Sequence, residues 1–252
     1  MFRRRPAAPV TSATTAVQPL TSFEPPLRLK LNYFLDDKGR PRGVAKMPGP
    51  GPTWLSSYIS LPDKTGSARL VSSYVKIRNY LEAYESGLCV WNEEAARFEK
   101  LRTLWTKSDA APKPPAMPEG QPALWKDAAG KEWAYFGIAL PTLRCPATFE
   151  AWQDQQTWEI LTPQESLASA VDGRPVKPHS GSVAWNAFRK CWVTVFMENL
   201  GKPSAFGELW YAEAASPAGP WGRAVKVLSH DNYTFYNPRL HPEITPADSP
   251  IL

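Results

Sequence analysis

Three carboxylates stand out by where they fall along the chain. Glu85 and Glu198 occupy corresponding places in two repeats of one strand pattern, and Asp231 lies in another loop beside a strand end. Two carboxyl groups facing each other across a substrate can divide acid and base work. One gives a proton to the leaving group while the other activates water or attacks directly. Around them fall Arg78, Tyr80, Tyr84, Arg144, His179, Asn199, His230, Tyr236, Asn237 and His241. Flat aromatic faces stack on the apolar faces of sugar rings, and amides and carboxylates bind hydroxyls. The set therefore suits a carbohydrate, which is the expected ligand. Plainer readings stand beside this one. His179 and His241 lie near strand starts, where an imidazole can satisfy backbone groups. Asp231-Asn232 is good turn chemistry, and a loop carboxylate needs no function at all.

Other chemistries find no support. The three histidines are dispersed and have no metal-ligand spacing. Met47–Pro52 reads MPGPGP, a turn-rich linker rather than a phosphate loop, and His179–Ser182 reads HSGS without the first glycine of a nucleophile elbow. No cofactor and no metal are expected. The net charge of +5 is set by the first fifty residues: they hold nine Lys or Arg against three Asp or Glu, which is +6 and leaves −1 for the rest. A nucleic-acid footprint needs its cations on the folded domain, so no nucleic-acid partner is expected. No stretch is long and apolar enough to span a membrane. Cys89, Cys145 and Cys191 are an odd, widely spaced set that reads as buried thiols, with one bridge left open.

The elements that must position these residues are strands. Proline occurs 27 times and tryptophan 11 times, which argues against long helices and for many turns and strand surfaces. A short strand ending in aromatics recurs about every sixty residues, as SGLCVW (Ser86–Trp91), ATFEAW (Ala147–Trp152) and GELWYA (Gly207–Ala212). Each is preceded by LVSSYV, WAYFG or WVTVF and followed by FEKLRTL, WEIL or WGRAVKVL. A fourth strand opens each set: WLSSYIS, ALW and SVAWN. The first two lead into the turns Asp63–Gly66 and Asp127–Gly130. Four antiparallel strands, A to D, repeated three times, is the signature of propeller blades. A β-sandwich also gives short strands at regular spacing.

Domain limits follow from composition. Residues 1–22 read as a disordered leader without the apolar core of a signal peptide, and 23–252 as a partial propeller. Residues 27–47 resemble a remnant of an earlier blade, with Asp37–Gly39 in a turn. Asn237–Ile244 reads as strand A of a further blade, Thr245–Pro250 as its turn and Ile251–Leu252 as the start of strand B. Three full blades fall short of the usual four to eight, so a truncated ring is expected. An open arc would expose an apolar face at each end and self-associate. In such a meander the A–B and C–D loops share one face. The B–C loops (Ile77–Ser86, Ile138–Pro146, Met197–Phe206) and the D–A connections share the other. The second set reads as longer, and the candidate residues lie there.

The segment Gly207–Trp221, GELWYAEAASPAGPW, resembles the outer strands of a blade in the five-bladed propellers of glycoside hydrolases related to arabinanases, xylosidases and invertases. The resemblance implies a carbohydrate-active propeller, glycoside hydrolase-like or merely glycan-binding, and an extracytoplasmic location. It also implies central carboxylates, with Glu85, Glu198 and Asp231 as candidates. Arg144-Cys145-Pro146 is similar to a Glu-Cys-Pro motif that carries the acid in invertase-like enzymes, but an arginine stands at the acid position. A protein-interaction propeller is a further alternative, without its usual Trp-Asp blade endings.

Overall fold

The computed structural model describes residues 33–201, 205–242 and 246–249. The leader, the two ends of the expected further-blade turn (Thr245 and Pro250) and Ile251–Leu252 lie outside the described residues. The chain divides into two units, the first ending at Pro41 and the second beginning at Arg42. In the first, Leu35 bridges Pro41 around a turn in which Asp36 Oδ1 accepts from the amides of Lys38 and Arg40. This turn includes Asp37–Gly39.

The second unit is built of three four-stranded antiparallel meanders in series. Sheet I contains β1 (Thr53–Pro62), β2 (Ala68–Arg78), β3 (Glu82–Asn92) and β4 (Arg97–Thr106). Sheet II contains β5 (Ala123–Lys126), β6 (Glu132–Phe136), β7 (Leu143–Pro146) and β8 (Glu159–Ile160). A small hairpin, β9 (Leu167–Ala168) with β10 (Pro175–Val176), follows. Sheet III contains β11 (Pro178–Asn186), β12 (Cys191–Glu198), β13 (Glu208–Ala214) and β14 (Val225–Ser229). The blade repeat expected from the sequence is present, in strand order A-B-C-D each time.

Period-two alternation stacks the blades. On β6, Ala134 and Phe136 enter a core with Ile59, Leu61, Val71 and Leu88 of sheet I. Trp133 and Tyr135, pointing the other way, enter a core with Val183, Trp192, Phe196 and Trp210 of sheet III. Successive strand residues face opposite sides, so one apolar run of four residues, Trp133–Phe136, joins three sheets. The A–B registers repeat as well: Trp125 pairs with Trp133, and Trp185 with Trp192.

Three local expectations are corrected. ATFEAW is not strand C of sheet II. That strand is Leu143–Pro146, and Phe149–Gln153 is a short helix, α1. Thr148 caps the helix by accepting from the Ala151 amide, and the turn buries Trp152 against sheet I and sheet II. Asn237–Pro242, the described part of the expected further strand A, forms no strand. Pro238 and Pro242 lack the amide a ladder needs, and Asn237 has φ +50°. Finally, the long-loop assignment was uneven. The B–C connection of sheet I is the tight turn Asn79–Leu81, while the C–D connection of sheet II is long enough to hold α1.

Candidate functional site

A cleft of about 240 Å³ opens between the blades at their B–C and D–A ends. Its walls come from three connections: Glu119 from the sheet I to II crossover, Ile138 and Leu140 from the B–C loop of sheet II, and Gln164 and Glu165 from the sheet II to III crossover, with His179 at the start of β11.

Close backbone packing fixes each wall. Gly120, at φ +72°, lies so near the Gly137 carbonyl that a Cβ would meet it at 1.9 Å. Its amide donates to Ser56 Oγ at 2.8 Å, and its carbonyl accepts from the Ser57 amide at 2.9 Å. Glu119, one residue earlier, is thereby pinned to the first two blades. The Ile138 carbonyl accepts from the Gly181 amide at 2.8 Å, tying the B–C loop of sheet II to β11. Gln164 is held by the backbone of Trp221, whose amide it accepts from at 2.5 Å and whose carbonyl it donates to at 3.3 Å. His179 packs its ring 4.2 Å from that of Phe206.

Burial raises the Glu119 carboxyl above its ordinary range. Desolvation disfavours the charged form, so this group keeps its proton to higher pH than a surface glutamate. A carboxyl of raised proton affinity that shares a cleft with a second carboxylate is suited to donate a proton.

The residues expected from sequence are dispersed. Glu85 lies on β3, where its Oε1 accepts from Tyr74 Oη at 2.8 Å and from Lys100 Nζ at 2.6 Å. Glu198, at the end of β12, is 6% exposed and bound by both Nη atoms of Arg174. Burial, the largest influence, pushes its carboxyl up, but hydrogen bonds with Arg174, Glu208 and Trp210 and the Arg174 charge together hold it below the ordinary range. Asp231, His230 and Tyr236 follow β14, with Asp231 and Tyr236 exposed. The His230 amide donates to the Gly207 carbonyl at 2.8 Å. The Asn199 amide donates to the Lys177 carbonyl at 2.8 Å, which puts it one strand end from His179. Arg144 lies within β7, not in a loop. It pairs with Glu159 at 2.6 Å and stacks 4.2 Å from the centre of the Trp133 ring. Arg78 stacks on Tyr84 at 5.2 Å, and Tyr84 donates to the Pro50 carbonyl at 2.7 Å. Tyr80, at the turn beside them, is 94% exposed. His241 does not join His179. It lines a separate apolar groove of about 120 Å³ beside the A–B turn of sheet III, with Trp185, Phe188 and Leu240. Asn237 precedes that segment.

Of the expected set, the cleft gathers only His179. Glu119 and Glu165 were missed. The available signal was their position, since each stands in a long D–A connection, and Glu119 is followed by a glycine just before strand A.

The sequence matches no protein-family model and no curated protein. Among solved structures, the chain is similar to a GH43_1 enzyme from Xanthomonas citri complexed with xylose, with 12% identity and a TM-score of 0.36. That match covers 68% of this chain and 53% of the other, so this chain spans about half the enzyme's length. It is also similar to a Bacillus subtilis arabinanase (13%, TM-score 0.34, 70% and 60% covered). A third is a β-xylosidase/α-arabinofuranosidase from a compost microbial metagenome (10%, TM-score 0.30, 70% and 77% covered).

Proposed function

We propose that this chain is a carbohydrate-active propeller that holds a glycan in the inter-blade cleft and cleaves a glycosidic bond there. Glu119 is the proton donor and Glu165 the partnering carboxylate, with His179 binding hydroxyls. The observation that carries this reading is a carboxyl with raised proton affinity lining the cleft that three blade connections build. Glu85 and Glu198 are less suited to the acid role, because each is already engaged by cations. Arg174 holds Glu198 ionised, and an ionised carboxylate has no proton to give.

The test is turnover of a panel of aryl glycosides and oligosaccharides by the full chain. Glu119→Gln should lower kcat by about 100-fold or more, and Glu198→Gln should act through stability alone. No turnover on any substrate, or unchanged turnover in Glu119→Gln, removes the assignment.

A second reading, glycan binding without cleavage, is favoured by the exposed aromatics Tyr80 and Tyr236. Retention on a glycan array without hydrolysis, lost in Tyr80→Ala, would support it.

A further inference from the structure

Sheet II is covered by a neighbouring sheet on each face. Among the described residues, sheet I meets another sheet on one face only. Its second face carries Tyr74, Cys89 and Phe98, which form one cluster with Met47, itself 1% exposed, and with the partly buried Leu55 and Trp91. Met47 belongs to residues 42–52, a segment without strand or helix whose contacts run from the β3–β4 turn to β2.

The segment is attached at a few points. Arg42 donates to the carbonyl of Ala96 at 3.0 Å, and the Phe98 amide donates to the Val44 carbonyl at 2.7 Å. The Ile77 amide donates to the Pro52 carbonyl at 3.2 Å. Lys76 is the main clasp. Its side chain is fully buried, and Nζ faces the carbonyls of Met47, Gly49 and Gly51 at 3.2, 3.1 and 2.9 Å, and Thr53 Oγ1 at 3.3 Å. A buried ammonium is costly unless its donors are satisfied, and here three of the four oxygens come from this segment and the fourth from Thr53 at the start of β1. The glycines allow the approach. A Cβ on Gly51 would lie 2.1 Å from the Ile77 carbonyl oxygen.

We propose that residues 42–52 are a separable end cap, a strap that takes the place a neighbouring blade holds elsewhere and opens on its own while the three sheets stay packed. One buried apolar side chain, the Lys76 clasp and a few single hydrogen bonds, including that from Tyr84 Oη to the Pro50 carbonyl, hold it, whereas sheets I to III share cores of ten or more buried residues. Local opening follows the region with the fewest such contacts. The strap also covers one of the two apolar end faces that an open arc was expected to expose.

Two thiols make the test. Cys89 lies beneath the strap and Cys145 lies between sheets I and II, and both are fully buried. Thiol labelling of the full chain, read by mass at rising denaturant, should modify Cys89 at lower denaturant than Cys145. Gly51→Val should speed labelling of Cys89 by about tenfold or more and leave Cys145 unchanged. Labelling of the two thiols in step, or a Gly51→Val chain that protects Cys89 as well as wild type does, overturns the proposal. If Gly51→Val does not fold, the wild-type denaturant series decides alone.

Discussion

Arg174 lies across Glu198, donating from Nη1 to Oε1 at 2.5 Å and from Nη2 to Oε2 at 2.9 Å. The same Nη2 reaches Glu208 at 3.3 Å, and the guanidinium stacks 5.1 Å from the centre of the Trp210 ring. Glu208 is 1% exposed and also pairs with Lys226. Two buried carboxylates thus depend on cations that reach them from the surface.

Removing Arg174 leaves Glu198 buried without its partner. Arg174→Ala should cost about 2–4 kcal/mol, measured by denaturant unfolding at neutral pH. The depressed Glu198 carboxyl contributes stability above its unfolded value of about 4.5 and loses it as pH falls through its folded value. The variant should therefore show a flatter loss of stability on the acid side. An unchanged acid slope would separate Glu198 from acid unfolding.

Glu119 has the opposite sign. Its folded proton affinity is raised, so any stability it lends is present below about 4.5 and is lost as pH rises through its folded value. Glu119→Gln cannot ionise. It should match wild type in acid and become relatively more stable toward neutral pH, while losing turnover. A stability difference that does not vary with pH would remove the buried-acid account.

The three cysteines should react in a fixed order. Burial pushes the Cys89 and Cys145 thiols up to about 12, so both are protonated as well as covered. Cys191 is partly exposed and shifted upward, first by burial. A small thiol reagent under native conditions should modify Cys191 first. Equal rates at all three sites would contradict the packing of sheets I and II.

Two tryptophans paired across one register should differ sharply. Trp192 is 1% exposed and Trp185 is 38% exposed. Trp192→Ala opens the core between sheets II and III and should cost about 3–5 kcal/mol. Trp185→Ala should cost clearly less in the same thermal or denaturant melts. Equal losses would mean that the two rings share the core equally.

Strand order was legible because blade contacts are local. The pair Trp192 and Trp210, on β12 and β13, could be placed by alternation and spacing alone. ATFEAW misled because Phe149 and Ala151 alternate as well as a strand would, while the cap that decides for a helix is a single hydroxyl, that of Thr148. The site was less legible. Glu85 and Glu198 read in sequence as matching loop positions, but Glu85 lies on strand C of its blade opposite Lys76 and Glu198 ends strand B opposite Pro178, and nothing in a repeat shows that Lys100 and Arg174 will occupy them.

The sequence by itself determined the all-β class, the four-strand repeat and the face alternation that stacks one blade on the next. These depend on residue period and turn chemistry within about sixty residues. Tertiary structure decided which carboxylates meet cations, which one loses water in a cleft, and that residues 42–52 would pack on sheet I. Ionisation and burial depend on neighbours far apart in the chain. Glu119 shares its cleft with Glu165 and His179, forty-six and sixty residues further along, and only the stacking of three blades brings them to one place.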